Sequence, residues 1–203
     1  MFGLEELTAV LPPPVRPRIT MTDADWHQLY GQIGTRLPGD FIQTYKTYGD
    51  GFFYSKTHRM SASVSLYAGA LAAPFCAFCV HVPERSTALR VIKEKRPKCV
   101  PFPLYWEPGG LLPWGRATNE TDLCWRVRGE LVDNWQVVVL RAGKGEHETS
   151  EMSAIQFLAR VISGKVACSL LPKGFPGSEG VGFGVWLEKS WLQISDSGSA
   201  PTT

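Results

Sequence analysis

The apolar residues of this chain change from helical to alternating spacing and back again, and few architectures accommodate that order. A capping side chain at Thr22 or Asp23 precedes Trp26, Leu29, Tyr30 and Ile33 at helical spacing, and Gly34 closes the segment. Leu37-Pro38-Gly39-Asp40 restarts a helix with proline in its first turn. Phe41, Tyr45 and Tyr48 then share one face, and Gly49 is placed as a left-handed cap. Leu89 and Ile92 predict a third helix from Ser86 to Arg96, stopped by Pro97. The period then falls to two. Leu123, Trp125 and Val127 alternate with Cys124, Arg126 and Arg128, as in a strand with one buried and one wet face. Trp135 to Leu140 is nearly all apolar and predicts a strand covered on both faces, in the middle of a sheet. Helical spacing returns where Ser153 and Gln156 make a capping box ahead of Ile155, Leu158 and Ile162, with Phe157 and Val161 beside them, until Gly164. Helix, helix, strands, helix is the order of an α+β domain.

At 203 residues, 44% hydrophobic and 20% charged, the chain is sized and composed for one globular domain with a substantial core. The expected organisation is an N-terminal arm over 1–21, a domain over 22–172 and a Gly-rich extension over 173–203. Phe2 to Leu11 suits a short helix that Pro12-Pro13-Pro14 and Pro17 must end, read as an arm or linker outside the core. Gly174, Gly177, Gly180, Gly182 and Gly184 read as loop before an apolar patch from Val185 to Leu192. The small polar residues from Ser195 to Thr203 are expected to be disordered.

A net charge of +2 is too small for the whole surface to trap nucleic acid, and no direct nucleic-acid binding is expected. One segment leans basic: Arg85, Arg90, Lys93, Lys95, Arg96 and Lys98 face only Glu94, without the interleaved aromatics of a base-stacking site. Five cysteines and an acidic N-terminus, Glu5-Glu6, point to the reducing cytoplasm. The uncharged run between Arg59 and His81 has the length of a membrane helix, but Ser61, Ser63, Ser65, Gly69 and Pro74 favour buried strands or an insertion, with no membrane contact expected.

Catalytic motifs are weak. Cys76-Ala77-Phe78-Cys79 with His81 has metal spacing but no second pair, so the cysteines read as buried and reduced, and no metal or cofactor is expected. His27, His58, His81 and His147 stand in no recognised catalytic context, and the glycines near Gly180 lack the elements of a phosphate cradle. The stretch from Pro108 to Asp133 is the most individual part of the chain. In it Trp114 and Trp125 flank a polar turn, and with Trp135 they are expected to hold up the fold while the turn stays open to binding.

Gly34-Thr35-Arg36-Leu37-Pro38-Gly39-Asp40-Phe41 followed by Tyr48-Gly49-Asp50-Gly51-Phe52 is similar to the N-terminal motif of SUKH domains, a group that includes a fungal regulator of cell-wall synthesis and many bacterial immunity proteins. Gly110 to Gly115, Asp122 to Trp125 and Trp135 to Val139 resemble the central sheet of actinobacterial members, and Phe157 through Gly164 their closing helix. Residues 54–73, rich in Ser and Ala, depart from the acidic strand-forming stretch usual at that place. The resemblance implies helices packed on a twisted, mainly antiparallel sheet, no enzymatic activity and a cognate toxin protein, often a nuclease, as partner. The other function considered is a regulatory or scaffolding module acting on one of the cell's own proteins. The free chain is expected to be a monomer. Asp50, Glu107, Arg116, Asn119, Glu120 and Asp122 are the expected partner-binding residues, in two glycine-bounded loops where side chains reach a partner without supporting the fold.

Overall fold

The structure, a computed structural model, describes residues 2–17, 21–66, 82–187 and 190–193. Within them the chain forms helices α1 (Phe2–Val10), α2 (Asp23–Ile33), α3 (Gly39–Tyr48), α4 (Val82–Lys95) and α5 (Ala154–Ile162). The strands are β1 (Phe52–Ser55), β2 (Arg59–Leu66), β3 (Leu111–Ala117), β4 (Asp122–Arg126), β5 (Gln136–Arg141), β6 (Glu146–Ser150), β7 (Val181–Leu187) and β8 (Ser190–Gln193). They make one sheet in the order β6-β5-β4-β3-β2-β1-β7-β8, each strand antiparallel to its neighbours. The fold is α+β, as the periodicity predicts. No helix among the described residues is long and apolar enough to cross a membrane.

The helix starts follow local chemistry. Thr22 and Asp25 complete a capping box on α2, and Gly34 ends that helix in the left-handed conformation at φ 63°. Ser153 caps α5 by accepting from the Gln156 amide at 3.2 Å. The second half of that capping box is absent: the Gln156 side chain donates instead to Glu6 at 2.8 Å.

That bond belongs to a correction. The segment 1–21, read from sequence as an arm outside the core, contributes to it: Leu7 is fully buried and Leu11 nearly so. Gly3 approaches the start of α5, while Glu6 pairs with Arg160 one turn further on, so α1 and α5 run side by side in the same direction. A Cβ at Gly3 would stand 2.8 Å from the Gln156 nitrogen, which is why glycine occupies the close approach. Pro12 to Pro14 do end the helix, but the Tyr48 hydroxyl then holds the Leu11 carbonyl.

Two further expectations are corrected. The Gly-rich segment does not stay a loop, because Gly182 and Gly184 lie in β7 and pair with Tyr54 and Phe52 of β1. The Cys124 face of β4 is not wet. Cys124 packs with Leu89 of α4, Val100, Phe102, Leu111, Val138 and Leu140 in a second, smaller core on that face. β5 is buried on both faces as expected, although β6, the charged strand beside it, makes it the last strand but one. Ser195 to Thr203, and Cys76, Cys79 and His81, lie outside the described residues.

The main core is centred on an aromatic seam. Phe41 of α3 meets Trp125 edge-on with ring centroids 4.9 Å apart, and Trp125 neighbours both Trp114 at 6.0 Å and Trp135 at 6.1 Å. None of these three indole N–H groups finds an acceptor among the described residues, so what they supply is apolar area and shape. Trp114→Ala should therefore cost about 3–5 kcal/mol in a denaturant melt. Trp125→Phe should cost less than Trp125→Ala, since the lost N–H had no partner; equal losses would contradict this reading of the seam.

Candidate interaction surface

The polar turn between β3 and β4 is tied into the fold. The Ala117 amide donates to the Thr121 carbonyl at 2.8 Å, and Glu120 holds the left-handed position at φ 64°. The Leu170 carbonyl accepts from Asn119 Nδ2 at 2.9 Å, from the Thr121 hydroxyl at 2.8 Å and from Arg141 at 3.0 Å, which fastens the segment after α5 across the turn. Asp122 is fully buried, and Arg85 of α4 meets it with both guanidinium arms at 2.6 Å. Burial raises the Asp122 carboxyl above the ordinary range, against the pull of Arg85. Arg116 is half-buried and stands opposite Asp122 in the β3–β4 register.

These placements correct the sequence expectation for this loop. Asp122 and Asn119 support the fold, Arg116 is partly committed beside them, and Glu120 is the one side chain of the four that is exposed. Asp50 is corrected in the same way. It is only 7% exposed, at the junction of α3 and β1, and burial pushes its carboxyl up to about 6 against the opposing Tyr45 hydroxyl and Gly51 amide. β2 lies between β1 and β3, and neither Asp50 nor Asp122 is open to a partner.

Glu107 is exposed, at the other end of β3, and it has a neighbour that the sequence reading missed. Trp106 is 61% exposed and its backbone sits at φ 82°, a conformation that a bulky side chain rarely adopts. The surrounding structure holds it there. The Tyr105 hydroxyl donates to the Ile33 carbonyl at the end of α2, the Tyr105 and Trp106 rings lie 4.5 Å apart, and the indole covers Gly34, where a Cβ would fall 2.5 Å from the ring. Any residue but glycine at 34 would therefore displace the tryptophan. On the other side of the α2–α3 turn the Asp133 carboxylate accepts from the Gly39 amide at 2.7 Å, next to Leu131, which is 69% exposed. The Gly109 amide donates to the Val127 carbonyl at 2.9 Å and joins the two loops. One end of the sheet thus presents two large apolar side chains, with Arg36, Glu107, Arg128 and Glu130 exposed around them. The legible signal was a tryptophan outside any periodic element, just before Pro108-Gly109-Gly110.

Among the described residues no group of His, Cys, Asp and Glu is placed to hold a metal ion. Burial pushes the Cys168 thiol up to about 11 and that of Cys124 well above its usual value, which suppresses the thiolate on both. What the arrangement offers chemically is an apolar anchor with a polar rim on rigid supports. Compared with family models, curated proteins and solved structures, the chain matches none.

The raised Asp50 carboxyl sets a pH dependence. Between about pH 4 and pH 6 the folded chain keeps a proton on Asp50 that the unfolded chain has released, so this group lowers stability as pH rises through that window. Asp50→Asn should stabilise the fold by about 2 kcal/mol above pH 6.5 and change little at pH 4, read from denaturant melts at both values. Equal effects at both would contradict a buried, proton-holding carboxyl.

Proposed function

We propose that this chain is a non-catalytic immunity protein that binds and neutralises a cognate protein toxin, and that it grips the toxin with the end of the sheet that carries Trp106 and Leu131. The partner class comes from the motif resemblance around Gly34 to Phe52 and Gly110 to Val139. The observation that carries the surface is Trp106. Holding a large side chain at φ 82° costs on the order of 1–3 kcal/mol, and leaving an indole in water forgoes its burial besides. A glycine at 106 would avoid both costs. Their persistence at an otherwise well-fastened turn has a physical rationale if a partner covers the ring, as exposed tryptophans and arginines do at the centre of protein interfaces. Leu131 and the charged residues around the two side chains give the apolar centre and wet rim that such a contact needs.

The test uses Trp106→Gly, which removes the anchor and relieves the backbone at once. Co-expressed with the toxin encoded beside it, the wild-type chain should protect the cell. The variant should bind at least about tenfold more weakly while its stability stays within about 1 kcal/mol of wild type. Full protection by the folded variant would remove this face from the interface, and a toxin neighbour that the wild-type chain fails to restrain would remove the function.

A further inference from the structure

The opposite end of β5 gathers positive charge from two distant parts of the sequence. α4 ends at Lys95, the Arg96 amide closes it on the Ile92 carbonyl at 2.7 Å, and Pro97–Cys99 makes a 3-10 turn. That turn lies against the β5–β6 turn: a Cβ on Gly145 would stand 2.7 Å from the Lys98 carbonyl oxygen and 3.3 Å from the Cys99 Cα, and Cys99 Sγ is 3.9 Å from the Gly143 carbonyl. Lys144 is therefore brought to the side of Lys98. Lys95, Arg96, Lys98 and Lys144 are all exposed.

None of these four has a carboxylate partner among the described residues, although Arg85, Arg141 and Arg160 all do. Of the acids near at hand, Glu94 in the last turn of α4 is exposed and offsets one of the four charges, and the other two are engaged elsewhere. Glu146 pairs with Arg141 at 2.8 Å, and Glu148 accepts from the Ser169 amide and hydroxyl at 3.0 and 2.5 Å. The C-terminal dipole of α4 favours Lys93 and Lys95 in its last turn. It does not account for Lys98, beyond the helix, or for Lys144, from another pair of strands. Bringing like charges together opposes folding unless something of opposite sign meets them.

We propose that this rim is a second docking surface, for an acidic protein segment, at the far end of β5 from the tryptophan face. A nucleic-acid strand fits it less well, because among the described residues no Phe, Tyr or Trp ring is exposed beside these cations for a base to stack on: Phe102 is 7% exposed, and the exposed His147 imidazole is engaged edge-on with it at 4.9 Å. The surface does not depend on the toxin reading.

The probe is a fluorescein-labelled twelve-residue peptide of Asp and Glu, followed by anisotropy on the full chain at low and high salt, with a single-stranded DNA of equal charge as the comparison. The wild-type chain should bind the peptide more tightly than the DNA, and high salt should weaken the binding. Lys98→Glu with Lys144→Glu should weaken it by about tenfold, and Lys98→Gln with Lys144→Gln by about threefold, each pair melting like the wild type. Arg90→Gln, earlier on α4, should weaken binding less than the Gln pair does. Peptide binding that survives the folded Gln pair, or tighter binding of the DNA, would overturn the proposal.

Discussion

The ion pair between Arg85 and Asp122 holds together what the rest of the molecule depends on. It is bidentate at 2.6 Å with the carboxylate fully buried, and it joins the first turn of α4 to the first residue of β4. Two charges in that position are costly to desolvate, and the cost is offset only because both guanidinium arms meet both carboxylate oxygens. With α4 seated there, Leu89 covers Cys124, Val138 and Leu140, and the sheet gains a second buried face. The same seat aims the end of α4, and with it Lys95 to Lys98, at the β5–β6 turn. Asn119 and Thr121, just before Asp122, fasten the segment that leads from α5 towards β7.

Most of the framework was legible because local and tertiary signals agree there. Thr22 and Ser153 cap the helices they were expected to cap, Phe41, Tyr45 and Tyr48 share the buried face of α3, and β5 is covered on both sides. The misreadings have tertiary causes. α1 is nine residues followed by prolines, and what secures it is its packing along α5 and the Glu6–Arg160 pair rather than any local pattern. β7 contains glycines that propensity disfavours, but Tyr54 lies against Gly182, where a Cβ would fall 2.4 Å from the phenol ring, so only glycine lets that ring lie flat on the strand. The alternation in β4 looked half-wet because nothing local reveals that α4 returns to cover Cys124.

The functional residues were less legible for a related reason. Charged and polar side chains in a glycine-bounded turn look free, and Asp50, Asn119 and Asp122 are not. Their chemistry goes into satisfying buried donors and acceptors. The side chains proposed above to meet partners, Trp106 and Leu131 at one end of the sheet and Lys95, Arg96, Lys98 and Lys144 at the other, are by contrast exposed.

The claim that the polar turn is architecture rather than interface is tested most directly by a double-mutant cycle in denaturant melts. Arg85→Met and Asp122→Leu should each lower stability by about 3–5 kcal/mol, because each leaves the other charge buried alone, and the two together should recover most of that loss. Single variants that melt like the wild type yet no longer bind a partner would contradict it, and would return Asp122 to the surface.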